Sequence, residues 1–208
     1  MAVTLSQKVS TFLNVGGAPY RYTFLLVLFN DYENRVKDEL DRQAEPFGAD
    51  LDTSGMFVRP FPQRKYDIAE EVRLKPWPTE IAQRLDSSDL ALLIIDRDFG
   101  SFDPREHAHA VIVLDDYLAD VDSIEPLLQT LASKTRRGED VLAYLQDVAK
   151  REKRREQAEG GAAATARLAS YIEIKPQIFG VGIDLKAILR DIADRLSSRS
   201  QPGAPAAP

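Results

Sequence analysis

The sequence predicts an α/β domain, a three-layer sandwich whose mostly parallel sheet is covered by helices, with extra helices in its C-terminal part. Three observations carry that expectation. Two runs, Thr23 to Phe29 (TFLLVLF) and Leu90 to Ile95 (LALLII), are apolar without alternation, as strands buried on both faces are. Strand-like runs alternate with stretches of helical periodicity, the pattern of βαβ units. Polar turns separate them, such as Asp86-Ser87-Ser88-Asp89 ahead of the second run.

In chain order, Gln7 to Leu13 reads as a short helix docking on the core, before a Gly16-Gly17-Ala18-Pro19 break. After the first strand, Asn30-Asp31 can cap a helix. From Arg35 to Glu45, Val36, Leu40 and Ala44 form one apolar stripe, which Pro46 and Gly48 are expected to stop. Met56 to Phe61 is a second strand, placed near an edge because Pro60 cannot donate to a ladder. Residues 62–78 read as irregular, with three prolines and a basic-aromatic mix of Arg64, Lys65, Tyr66, Arg73, Lys75 and Trp77. Thr79 then caps a short helix with Ile81 and Leu85 inward, leading to the Leu90 strand.

Beyond that strand, Asp103-Pro104-Arg105-Glu106 is the strongest local signal: aspartate at the N-cap, proline at the first helical position, glutamate at the third. It predicts a helix from Pro104 to about Ala119, with a strand over AHAVIVL as the alternative because β-branched residues favour one. Asp122/Ser123 caps a helix carrying Ile124, Leu127, Leu128 and Leu131. Past Gly138 a longer helix carries Val141, Leu142, Leu145, Val148 and Ala149, and ends in a charge run, Lys150 to Glu159, read as a solvated end. Tyr171 to Ile174 and Gln177 to Val181 read as short strands, and Asp184 caps a last amphipathic helix through Leu196. Residues 1–198 are expected to form one domain, with about 123–170 a helical insertion and 199–208 a disordered tail.

Composition narrows the function classes. The 208 residues hold no cysteine and two histidines, with a net charge of −6. Disulfides, thiolate metal sites and cysteine nucleophiles are excluded, and a reducing, cytoplasmic setting is expected. The acidic balance argues against DNA and anionic membranes as partners. No apolar run approaches the roughly 20 residues that span a bilayer, and the N-terminal stretch is a poor signal peptide.

Four groups of residues are candidates for chemistry. Asp31 after the first strand, with Asp96 and Asp98 after the central one, would converge at one rim if the strands are neighbours, and carboxylates so placed can hold Mg²⁺ or simply cap helices. Arg64 and Trp77 could grip a nucleotide's phosphates and stack its base. Gly180-Val181-Gly182 fits a strand-to-helix turn better than a phosphate loop, since the third glycine of the dinucleotide fingerprint is missing. Glu106, with Ser101 and Phe102, is the fourth.

That fourth group carries a resemblance. Glu80 to Asp89, then LALLIIDRDF, then the Ser101-Phe102 pair, then a helix start bearing Glu106, is similar to the core of a TIR (Toll/interleukin-1 receptor-type) domain. It covers Thr23 to Ala119 in element order and Thr79 to Ala108 in residues. Here Phe102-Asp103 stands where the family carries a tryptophan-cysteine pair. The resemblance implies a flavodoxin-like fold and a signalling or interaction module of bacterial stress or antiviral defence, with other proteins or its own copies as partners. It also implies NAD as a ligand, ahead of Mg²⁺, and Glu106 as the catalytic residue if the chain cleaves a ribosyl–nicotinamide bond. A carboxylate suits the oxocarbenium-like centre of such a reaction. The alternative for Glu106 is structural, as capping partner of Asp103.

Overall fold

The computed structural model describes residues 3–6, 20–29, 34–60, 67–114, 123–158, 172–175 and 181–183. The expected helices at Gln7 and Asp184, the tail, Asp31 and Arg64 lie outside them. The strands are β1 (Val3–Ser6), β2 (Tyr22–Leu28), β3 (Gly55–Pro60), β4 (Leu90–Ile95), β5 (His109–Val113), β6 (Ile172–Lys175) and β7 (Val181–Ile183). The helices are α1 (Asn34–Leu51), α2 (Asp67–Arg73), α3 (Thr79–Ser87), α4 (Glu125–Arg136) and α5 (Val141–Ala158). The class is mixed α/β, with one sheet in the order β1-β3-β2-β4-β5-β6-β7.

The expected mostly parallel sheet is corrected. Only β1–β3 and β3–β2 pair in parallel, and every pairing from β2–β4 onward is antiparallel. The reason lies in how often the chain crosses the sheet. Between β2 and β3 it crosses once, along α1, so the strands are parallel. Between β3 and β4 it crosses twice. Residues 67–78 carry it to the far rim, where Lys75 and Trp77 meet the loop after β4. Helix α3 carries it back to Leu90. An even number of crossings starts β4 at the rim where β3 ended. The pair α4 and α5 has the same effect between β5 and β6.

Alternate strand residues feed two cores. Phe24, Leu26, Phe57, Leu92, Ile94 and Ile112 face one, closed by α1, α4 and α5. Leu25, Val27, Val58, Leu93, Ile95 and Val111 face the other, closed by α2, α3 and the aromatics Trp77, Phe99 and Phe102. Every residue of β4 and β5 is buried, which is why these runs carry no alternation.

Four local expectations change. Helix α1 runs through Pro46 to Leu51. An internal proline costs about 3 kcal/mol, but stopping there would release Phe47 and Leu51, both buried in the first core and worth roughly 1.5–3 kcal/mol each. Asp52, at φ 53°, ends it. Strand β3 is interior, since β1 covers its outer side and pairs Ser6 with Pro60. The helix expected from Pro104 is a single turn followed by β5. A cap contributes about 1 kcal/mol, whereas Ala110 to Leu114 is apolar at every position, and a strand covered on both faces buries all of it. Helix α3 is preceded by Pro78 at its N-cap, so Thr79 is its first residue. Among the described residues no helix is long and apolar enough to cross a membrane.

Candidate functional site: the connection between β4 and β5

Residues Asp96 to Ala108 leave the end of β4. Because β4 runs against β2, this loop sits beside the start of β2: Ile95 pairs with Thr23, whose hydroxyl donates to the Arg97 carbonyl at 3.0 Å. The chain leaves β2 at the opposite rim, where Leu28 pairs with Leu90, about 17 Å away at 3.4 Å per residue. The strand ends that were to gather Asp31 with Asp96 and Asp98 therefore diverge. Among the described residues no three His, Cys, Asp or Glu side chains are grouped to hold a metal.

The loop is pinned from inside. Phe99 and Phe102 are each 2% exposed and stack near one another at 6.3 Å. Phe102 meets Trp77 at 5.8 Å and His109 edge-on at 5.4 Å. Trp77 is buried and its Nε1–H donates to the Val72 carbonyl at 2.6 Å. Trp77, read from sequence as a nucleotide contact, and Phe102, from the Glu106 group, are thus walls of the second core. The Lys75 ammonium donates to the carbonyls of Phe99 and Phe102, both at 2.8 Å, with that of Gly100 at 3.5 Å. It also stands 4.5 Å over the Phe99 ring. Burial pushes the Lys75 pKa down, against the opposing pull of Asp103, Asp98 and Glu71.

The polar residues tie their own turns. Asp98 accepts from the Ser101 backbone N–H at 2.8 Å and from the Ser101 hydroxyl. Asp103 caps as expected, its carboxylate accepting from the Arg105 N–H at 2.7 Å. The reciprocal half of the box goes elsewhere. The Asp103 N–H donates to His107 Nδ1 at 2.9 Å, and His109 Nδ1 lies 2.9 Å from the His107 carbonyl. Glu106 is left exposed on the single turn. Asp96, paired with Arg97 at 3.0 Å, and Asp98, Ser101 and Arg105 are exposed along the same loop. Val181 and Gly182, from the glycine motif, form strand pairs with Ile174 and Glu173.

Asp98 gives a pH prediction. The Ser101 hydroxyl bond holds its carboxyl below the ordinary aspartate value. A lowered folded-state pKa contributes stability above the unfolded value, lost as pH falls through the folded one. Acid should therefore loosen residues 98–101 before the sheet. Ser101→Ala should move the Asp98 titration, followed by carboxyl NMR, back toward ordinary aspartate. An unmoved titration would remove Ser101 as the cause.

Lys75 is the residue whose role sequence reasoning missed, although it stood within the basic-aromatic stretch. Its partners are backbone carbonyls, and carbonyls carry no sequence signal. Compared with family models, curated proteins and solved structures, the chain finds no match.

Proposed function

We propose that the chain is a cytoplasmic signalling and interaction module of TIR-like type, recognising its partner through the connection between β4 and β5. One observation carries this reading. The loop is stiffened from within by buried Phe99 and Phe102 and by Lys75 on its carbonyls, while Asp96, Asp98, Ser101, Arg105 and Glu106 face outward. A preorganised polar ridge lowers the ordering cost of binding, and loops held on a rigid scaffold are where recognition concentrates. The helix–sheet–helix layering of a three-layer sandwich belongs to the same reading, as does a role in bacterial stress or antiviral defence, which the TIR resemblance adds.

The ridge carries more carboxylates than cations, so its complement is a basic surface. The chain carries a basic run in sequence, Lys150 to Arg155, of which Lys150 and Arg151 are exposed on α5, and this makes a second copy a fitting partner. Sedimentation velocity at low salt should show concentration-dependent association. Asp98→Lys with Glu106→Lys should suppress it, as should a few hundred millimolar salt. A monomer at every concentration and salt would rule self-association out.

The enzymatic alternative, NAD cleavage by Glu106 or Mg²⁺-assisted nucleotide chemistry, is tested alongside. In this reading NAD incubated with concentrated protein stays intact, and Glu106→Gln leaves its level unchanged. Loss of NAD that depends on Glu106 would replace the interaction module with a hydrolase.

A further inference from the structure

We propose that Lys75 is a latch on the β4–β5 connection and a site of Nε-acylation, and that acylation releases the loop. The latch does not depend on what the loop recognises. It rests on how one side chain's donors are used. The ammonium has three N–H donors. Two meet the carbonyls of Phe99 and Phe102 at 2.8 Å in partly buried positions, and the third points toward Gly100 O at 3.5 Å on the exposed side. The donor most easily given up is therefore the one facing solvent. When the ammonium loses that proton, its two remaining N–H groups keep the two short bonds and the lone pair is left on the Gly100 side, which is the exposed one.

That lone pair is the nucleophile. The surroundings favour its formation, since burial works against the charged form, and Asp98, Asp103 and Glu71 are the charged groups that oppose the loss. An acyl phosphate supplies the electrophile. The ammonium first gives a proton to solvent. The amine nitrogen then attacks the acyl carbon, an N–C bond forms and the C–O bond to phosphate breaks. Phosphate leaves with that electron pair, and the nitrogen's second proton passes to solvent, leaving an amide.

The product cannot hold the loop. An amide nitrogen has one N–H where the ammonium had three, so at least one of the two short carbonyl bonds is lost. The positive charge above the Phe99 ring is lost with it. The added acyl group must also find room beside Gly100. Phe99 and Phe102 remain apolar anchors, so release means looser turns at residues 97–107 with the sheet intact.

The test treats the full-length protein with acetyl phosphate to partial modification. Peptide mass spectrometry then measures occupancy at each lysine, and hydrogen exchange is followed over residues 96–108 and over β2 and β4. The expected result is Lys75 acetylation at an occupancy at or above that of exposed Lys150, rising as pH rises, with exchange in the loop several-fold faster and β2 and β4 unchanged. Lys75→Gln should reproduce the fast loop exchange without reagent. Lys75→Arg, which keeps charge and donors, should keep the loop protected. Lys75 left unmodified while Lys150 is saturated overturns the acylation site. Modified Lys75 with unchanged loop exchange overturns the latch. If Lys75→Gln perturbs β2 and β4 as well, the side chain supports the whole fold and the latch is likewise overturned.

Discussion

Replacing Glu39 with alanine is expected to lower stability by about 1.5–3 kcal/mol, the range for a hydrogen bond to a charged group. Glu39 lies on α1 and is buried, and its Oε1 accepts the Ile124 N–H at 2.6 Å. Ile124 is the N-cap of α4 and has no side chain able to cap it. A helix start leaves backbone N–H groups without intrahelical partners, and here a carboxylate from α1 fills part of that role. It also places negative charge at the positive end of α4's dipole. The alanine variant leaves the Ile124 N–H without its acceptor beside a fully buried side chain. Glu39→Gln keeps an acceptor oxygen and should lose only about 1 kcal/mol. Urea unfolding of the three proteins decides the matter. Alanine and glutamine variants of equal stability would mean that an acceptor oxygen at this position restores nothing, and would remove the cap on Ile124 as the source of the effect.

The same contact shows where the sequence is readable and where it is not. The Ser123 signal for the start of α4 is legible, and its hydroxyl does accept the Glu125 N–H at 3.1 Å. The Glu39 cap is not, because it joins residues 85 apart in the chain. The buried strands β2 and β4 are legible as uninterrupted apolar runs, but such runs report burial on two faces and say nothing of direction. Direction follows from the number of sheet crossings, and one crossing is hidden in the sequence. Residues 67–78, rich in charge and flanked by prolines, read as irregular. Yet Ile68, Ala69 and Val72 hold a buried helical stripe, too short to outweigh its neighbours. Without α2 the crossings predict a parallel β4, whose end would bring Asp96 and Asp98 to the rim where β2 ends; with it β4 is antiparallel and ends at the other rim. The Asp103 cap is legible and still points to the wrong element. Its turn is real, but Val111, Ile112 and Val113 lie between two covered faces, and burial on both outweighs one capping turn.

Trp77→Ala should have the larger effect, about 3–5 kcal/mol, the range for removing a large aromatic from a core. Trp77 closes the second core between α2 and α3 and touches Phe102 at 5.8 Å and His109 at 5.3 Å. Trp77→Phe should cost much less. It loses the indole N–H, but the Val72 carbonyl keeps the Lys75 backbone N–H at 3.1 Å, so no buried acceptor is left bare. The contrast separates two roles for the segment from Leu74 to Pro78. A nucleotide-stacking platform exposes its ring in the unliganded protein, and truncating it barely changes stability. A wedge between sheet and loop destabilises the fold when removed and frees the loop with it. Trp77 is the chain's single tryptophan, so its emission reads both properties directly. We expect blue-shifted emission that nucleotides leave unchanged, and an alanine variant whose residues 99–107 exchange faster than wild type. A solvent-like emission maximum, or a near-neutral Trp77→Ala, would return the indole to the surface and reopen the nucleotide reading.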